Sequence, residues 1–143
     1  MALRYTTYDP KQVAVIVGGV PLQGFADGDM VSIEFSEDSW EHLAGADGEE
    51  MRVRKNDSRA EMTVTLLQSS ESNTWLASLQ LADEASNSAA FPVLFKDNNG
   101  KTLLASESAW IKKTPTITRG KGPQSVEWVL ALSQARGFVG GYG

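Results

Sequence analysis

Hydrophobic and polar residues alternate along three stretches of the chain, residues 31–35, 60–66 and 125–134. A period of two places successive side chains on opposite faces of a β-strand. Each stretch therefore predicts a strand that has one apolar face turned to a core and one polar face turned away from it.

Two pairs of shorter apolar runs predict β-hairpins. Residues 13–17 and 22–25 flank a Gly18-Gly19 turn region, whereas residues 91–96 and 101–108 flank the sequence DNNG. Glycine adopts the positive φ that tight turns need. The DNNG sequence lacks the ligand spacing and the closing Glu of a calcium loop, so a turn is the better interpretation.

One stretch, about residues 71–84, has the helical period instead. Ser70 is placed to cap the first free N–H groups, and Asn87 is a possible C-terminal cap. The apolar face of this helix consists of Trp75, Leu76, Leu79 and Ala82. The predicted fold is mainly β, a β-sandwich or barrel with one flanking α-helix.

A long charged hairpin loop, EHLAGADGEEMRVRKND at residues 41–57, turns at two glycines. Residues 51–55 are expected to form one arm of a hairpin that leads into the strand at 60–66. Exposed ion pairs contribute only about 0–1 kcal/mol, whereas desolvated pairs at an interface couple by about 1.5–7 kcal/mol. We therefore hypothesise that the loop contacts a neighbouring subunit; the alternative is a solvated hairpin. The contact residues are Asp47, Glu49 and Glu50 on one side of the tip and Arg52, Arg54 and Lys55 on the other.

The composition fits a single domain over residues 1–143 with short flexible termini. The chain has 41% hydrophobic residues, no Cys and a net charge of −5. Its acidity opposes nonspecific binding to a nucleic acid backbone. No signal-peptide or membrane-spanning pattern is present, so neither secretion nor a membrane anchor is expected. The proline- and glycine-bearing residues 112–124 predict a surface connection, and the glycine-rich residues 137–143 predict a disordered tail.

Catalytic patterns are weak. His42 is the only histidine, and it lies in the charged loop, where a triad or a metal site lacks the required partners and spacing. The glycines near residue 120 lack the spacing of a phosphate-binding loop. Trp75 and Trp128 lie on apolar faces and are expected in the core. We assign no catalytic residue, no cofactor and no metal, and we favour a structural or binding role.

An ordered series of segments resembles a known family. The segments are GFADGDMVSIE, GADGEEMRVRKND, TVTLLQSSESNTWLASL, FKDNNGKTLLASESAWIKKTP and VEW, which together extend over about residues 8–134. This series resembles the tail tube protein of contractile-tailed bacteriophages, a family similar in fold to the tube proteins of type VI secretion systems.

The resemblance implies a non-enzymatic virion protein of the phage tail, assembled in the host cytoplasm. Hexameric rings would stack into a hollow tube that penetrates the host envelope and conducts the genome. Implied partners are further copies of the chain, the sheath, baseplate and tail-terminator proteins, and, transiently in the lumen, the tape measure protein and double-stranded DNA. With four strands from each of six subunits, a strand spacing of about 4.8 Å and a tilt of about 40°, the tube diameter is about 50 Å.

The resemblance also gives the polar strand faces a role, because an acidic lumen denies DNA a binding site. The residues expected to line the lumen are Ser32, Glu34, Glu61, Thr63, Thr65, Glu127 and Ser133. Three alternatives remain open: a tube protein of a related injection or type VI-like secretion machine, a stand-alone β-barrel module that binds a sugar or peptide, and a hydrolase with a carboxylate pair.

Overall fold

The computed structural model describes residues 8–26, 30–87, 90–122 and 124–140. Within these ranges the chain forms ten β-strands, one α-helix and a short 3-10 helix at Pro10–Gln12. The strands are β1 (Val13–Val17), β2 (Val20–Pro21), β3 (Val31–Phe35), β4 (Trp40–Ala44), β5 (Glu50–Arg54), β6 (Ala60–Leu67), β7 (Phe91–Asp97), β8 (Leu103–Lys113), β9 (Ser125–Ser133) and β10 (Arg136–Phe138), and the helix is α1 (Ser72–Ser86). The prediction of a mainly β chain with one helix is confirmed.

The main sheet is antiparallel and has the strand order β2-β1-β7-β8-β9-β6-β3, with β10 added alongside β8. The end strands β2 and β3 do not pair with each other in the described part of the chain, so the sheet is not closed. This open sheet is consistent with the predicted sandwich and not with a closed barrel. β4 and β5 form a separate two-stranded sheet.

The core is built on strands β6 and β9, where the alternation predicted from the sequence is confirmed. Every second residue of β6 is buried, from Ala60 to Leu66. Met62 lies opposite Leu130, and Val64 lies opposite Trp128. Burying a side chain of this size stabilises the fold by about 1.5–3 kcal/mol. The buried side chains of these two strands therefore hold the opposite face of the sheet in a fixed position.

Helix α1 packs on the core through Leu76, which is fully buried. Two indole N–H groups fix its first turns: Trp75 donates to the carbonyl of Val17 at 2.9 Å, and Trp128 donates to Asn73 Oδ1 at 2.9 Å. Ala82 was predicted on the buried face but is exposed, because the contacts that hold the helix are concentrated in its first half. Trp75 and Trp128 belong to the core region, as predicted.

The predicted C-terminal cap is confirmed, whereas the N-cap residue is Glu71, which makes no side-chain capping hydrogen bond, and Ser70 lies one residue before it. Ser70 Oγ accepts the backbone N–H of Ser72 at 3.2 Å. Asn87 adopts a left-handed conformation with φ 58° and donates its N–H to the carbonyl of Asp83 at 2.7 Å. The helix ends at Ser86, two residues beyond the predicted end at 84, because Asn87 is the residue that reverses the backbone.

The N-terminal hairpin differs from its prediction. Pairing resumes directly after the two glycines, with Val17 opposite Val20, so β2 ends at Pro21. The predicted strand at residues 22–25 is wrong, because Gly24 has φ 73° and turns the chain. Phe25 retains only an isolated bridge to Leu66.

Three further boundaries were not predicted. β4 lies in a segment expected to be a loop, and β8 begins at Leu103 and continues to Lys113, five residues beyond the predicted end. The tail prediction is wrong at its start, because Arg136–Phe138 pairs with the first residues of β8. Residues 141–143 of that tail lie outside the described ranges.

Candidate assembly surfaces

One face of the main sheet is polar and lies opposite the core. The strand register aligns Ser32 with Thr63, Glu34 with Glu61, and Thr65 with Glu127. Since buried residues alternate with these positions, the side chains share one face. This polar face comprises all seven residues predicted for the lumen: Ser32, Glu34, Glu61, Thr63, Thr65, Glu127 and Ser133. The sequence pattern grouped them correctly, whereas their role as a lumen lining stays a prediction.

Further residues of the polar face were missed, among them Trp110, Lys112 and Lys113, which lies opposite Val129. Glu34 and Glu61 lie directly opposite each other, which is unfavourable for like charges. Lys112 on β8 forms an ion pair with Glu61 and offsets that repulsion. Trp110 lies opposite Ala131 and is 41% exposed. Lys112 follows Ile111 at a register irregularity of β8, which no sequence signal indicates.

The second surface is the hairpin formed by β4 and β5, in which every strand residue is exposed. Its turn is well defined: the N–H of Gly45 donates to the carbonyl of Glu49 at 2.7 Å, and Gly48 has φ 88°. Asp47 Oδ1 accepts the N–H of Glu49 at 3.2 Å. The predicted charged loop is therefore a regular hairpin that contributes nothing to the core.

This hairpin has two different faces. On one face, the guanidinium carbon of Arg52 lies 4.2 Å from the ring centroid of Trp40, and His42 Nε2 lies 3.4 Å from Glu50 Oε1. On the other face, Leu43 lies directly opposite Met51, and Val53 lies opposite Glu41 nearer the base. We refer to Leu43, Met51 and Val53 as the apolar face of the hairpin. All three are exposed within the subunit.

The six residues predicted for the inter-subunit contact occupy three places. Asp47 and Glu49 lie in the turn, whereas Glu50, Arg52 and Arg54 share one face of β5. Lys55 lies just beyond the strand, with its Nζ 3.6 Å from Glu37 Oε2. The structure therefore brings Glu50 together with the two arginines and leaves Asp47 and Glu49 at the tip.

The base of the hairpin continues the β3–β6 ladder. The N–H of Lys55 donates to the carbonyl of Ser39 at 2.9 Å, and the N–H of Ser36 donates to the carbonyl of Arg59 at 3.0 Å. Arg59 also pairs with Asp57 at 2.6 Å, and this hydrogen bond holds the pKa of the Asp57 carboxyl below its ordinary value. These main-chain hydrogen bonds link the two arms of the hairpin base to each other, and the bond between Ser36 and Arg59 follows directly on the last pair of the β3–β6 ladder.

A cleft of about 1030 Å³ lies between the hairpin base and β10. Both carboxylates that line it are already paired, Glu37 with Lys55 and Asp57 with Arg59. No cluster of three or more His, Asp or Glu residues that could hold a metal ion occurs in the described ranges. No helix among the described residues is long and apolar enough to cross a membrane. The side chain of His42 is 70% exposed and contacts the Glu50 carboxylate.

The fold defines a β-rich subunit with two prominent exposed surfaces, the polar face of the main sheet and the hairpin formed by β4 and β5. A sequence model of the family described as the bacteriophage PhiTE tail tube protein matches residues 12–140. The chain belongs to this family and is a structural tail tube protein of a phage virion.

Known relatives agree with this assignment. The chain is 34% identical over 149 residues to "Structural protein ORF10" of Pseudomonas phage KPP10, a match that covers 99% of the chain and 86% of the relative. The fold is similar to the sheath/tube terminator of an extracellular contractile injection system, PVC, with a TM-score of 0.64 at 15% identity over 96% of the chain and all of the terminator. It is also similar to the tube terminating cap of the anti-feeding prophage, with a TM-score of 0.61 at 10% identity over 96% of this chain and 94% of the cap.

Proposed function

We propose that this protein assembles into hexameric rings and that the rings stack into the hollow inner tube of a contractile phage tail. The tube penetrates the host envelope and conducts the genome. The observation that carries the proposal is the polar face, a continuous surface across β3, β6, β9 and β8 that a buried core supports from behind. A surface of this kind suits the wall of a water-filled channel.

An edge of the sheet is available for ring closure. β3 pairs with β6 on one side, and no described strand pairs with its other side. A free edge presents backbone N–H and C=O groups that can pair with another chain. In the proposed ring, the free edge of β3 lies against the neighbouring copy, so that the polar faces of successive copies lie side by side around the lumen. Ring closure then removes the exposed edge.

The lumen carries net negative charge in this arrangement. Three carboxylates, those of Glu34, Glu61 and Glu127, are offset in part by two cations, Lys112 and Lys113. Like charge denies the phosphates of passing DNA a binding site. Further partners in the proposed tail are the sheath, baseplate, tail-terminator and tape measure proteins. The family match and the phage relative favour a phage tail over an injection machine.

Negative-stain electron microscopy of the purified protein tests the proposal, with light scattering as a measure of mass. We expect rings with sixfold symmetry and tubes built from them, formed without nucleotide, metal or cofactor. Head-to-tail contacts that do not close generate such open filaments. A protein that remains monomeric at high concentration and physiological salt would contradict the proposal and support the stand-alone binding module.

A further inference from the structure

Two projecting segments lie at opposite ends of strand β6. The hairpin leaves β3 after Phe35 and returns to β6 at Ala60, and these two residues are paired. The connection from β8 to β9 enters β9 at Ser125, which pairs with Leu67 at the other end of β6. Seven residue steps of about 3.3 Å separate the ends of β6, a distance of about 23 Å. Copies translated along this direction would bring the hairpin of one copy to the connection of the next.

The two segments carry opposite charges. The turn of the hairpin together with the first residue of β5, residues 45–50, contains Asp47, Glu49 and Glu50 and no basic residue. The other segment, residues 113–122, contains Lys113, Arg119 and Lys121 and no acidic residue. We refer to residues 113–122 as the basic connection. None of its three cations forms an ion pair with a residue of the described ranges, whereas neighbouring Lys112 is paired with Glu61.

Exposed apolar residues also occur on both segments. The apolar face of the hairpin, Leu43, Met51 and Val53, is exposed at one end of the subunit. Ile117 is 80% exposed on the basic connection at the other end. A groove of about 320 Å³ runs beside the connection, with Thr116, Thr118 and Val129 among its lining residues. The hydroxyl of Thr114 accepts a hydrogen bond from Gln80 Nε2 at 2.7 Å, which ties the start of the connection to helix α1.

From these observations we infer that the hairpin of one copy docks on the basic connection of the next copy along the stack. The acidic turn meets Arg119 and Lys121, and the apolar face of the hairpin covers Ile117. This contact deepens the proposed function and rests on it. The contact is heterologous, because the two surfaces belong to different parts of the chain, and it repeats without closing.

Matched charge reversals test the contact. The tip variant carries Asp47→Lys with Glu49→Lys, and the connection variant carries Arg119→Glu with Lys121→Glu. All four positions are exposed, so both variants are expected to fold, which circular dichroism and thermal melting verify. Like charges facing each other cost several kcal/mol at an interface. We expect each variant alone to raise the critical concentration for tube elongation at least about tenfold.

A mixture of the two variants should recover elongation. In the mixture, the basic tip of the tip variant faces the acidic connection of the connection variant. The acidic tip of the connection variant faces the unaltered, basic connection of the tip variant. Every hairpin contact is then complementary. A control with Lys11→Glu and Lys101→Glu makes a charge change of the same size at two exposed positions, the 3-10 helix and the turn between β7 and β8, which adjoin strands remote from β6, and we expect normal tubes from it.

The remaining outcomes separate this inference from the proposed function. If the unaltered protein forms no tubes, the proposed function fails. If the unaltered protein forms tubes and either variant elongates normally, or the mixture does not recover, the docking contact is wrong while the tube stands. Rescue of the tip variant by Arg52→Glu with Arg54→Glu in the same chain would also overturn it, because the tip would then pair with cations of another hairpin.

Disulfide trapping gives a second measurement, since the chain contains no cysteine of its own. In assembled tubes, Glu49→Cys with Lys121→Cys should give a ladder of cross-linked oligomers on oxidation. The control pair, Glu49→Cys with Ser78→Cys, places the second thiol on the exposed face of α1 and should give none. A ladder from the control alone would contradict the inferred contact.

Discussion

At the scale of single residues, Gly18 lies where a tight turn contacts the helix. Its φ is +59°, and a Cβ atom built there would lie 3.2 Å from Cζ2 of Trp75. Gly19 has φ +84°, and a Cβ atom built on Gly19 would have no other atom within 4 Å. The turn therefore requires a left-handed backbone at both glycines, whereas only Gly18 is also limited by a packed side chain.

We predict that Gly18→Ala lowers the free energy of unfolding by about 1–2 kcal/mol, with a further loss from displacing Trp75. Gly19→Ala is the matched control, because it carries the backbone strain without the contact. Urea unfolding of both variants checks the difference. Equal losses of unfolding free energy in the two variants would show that Trp75 moves aside at no cost in stability.

At the scale of elements, one amide anchors the helix to the sheet. Asn73 Oδ1 accepts from the buried indole of Trp128, while its Nδ2 donates to the carbonyls of Leu67 and Ser70. We predict that Asn73→Ala costs about 1–3 kcal/mol of stability, because a buried indole N–H is left without its acceptor. Thr74→Ala, an exposed change in the same turn, serves as the control in urea unfolding. A loss no greater than that of the control would contradict this assignment.

The elements that the sequence predicted well are those whose burial alternates. β6 buries every second residue, so its period is visible in the chain. β4 exposes both of its faces, so no core imposes an alternation on Trp40–Ala44. β10 was missed for another reason: Arg136–Phe138 gains its order by pairing with residues more than thirty positions earlier, and a local pattern does not contain such a partner.

At the scale of the whole molecule, the charge of the polar face should govern the passage of DNA through the tube. We predict that Glu34→Lys with Glu127→Lys gives intact tubes that retain duplex DNA at low salt and release it as salt rises. Both residues are exposed, and neither forms an ion pair with another residue of the described ranges, unlike Glu61 with Lys112. Cosedimentation of tubes with a short duplex measures the retention. Equal retention by the altered and unaltered tubes would contradict the electrostatic role of this face.

The candidate surfaces were predictable to different extents. A period of two was enough to group the seven residues of the polar face. It was not enough to place Lys112 beside Glu61, because a register irregularity in β8 decides that contact. The hairpin was predicted as charged, but the pairing of Leu43 with Met51 and its exposed apolar face emerge only from the strand register.

The separation of the hairpin from the core also bears on how this protein can evolve. None of its ten strand residues is buried, and exposed substitutions usually change stability by no more than about 0.5 kcal/mol. Mutations can therefore accumulate in β4 and β5 while the subunit still folds, whereas substitutions of the buried residues of β6 destabilise the fold. Selection on the hairpin then acts through compatibility between copies. Two diverging lineages can keep the same fold and lose the ability to build a mixed tail.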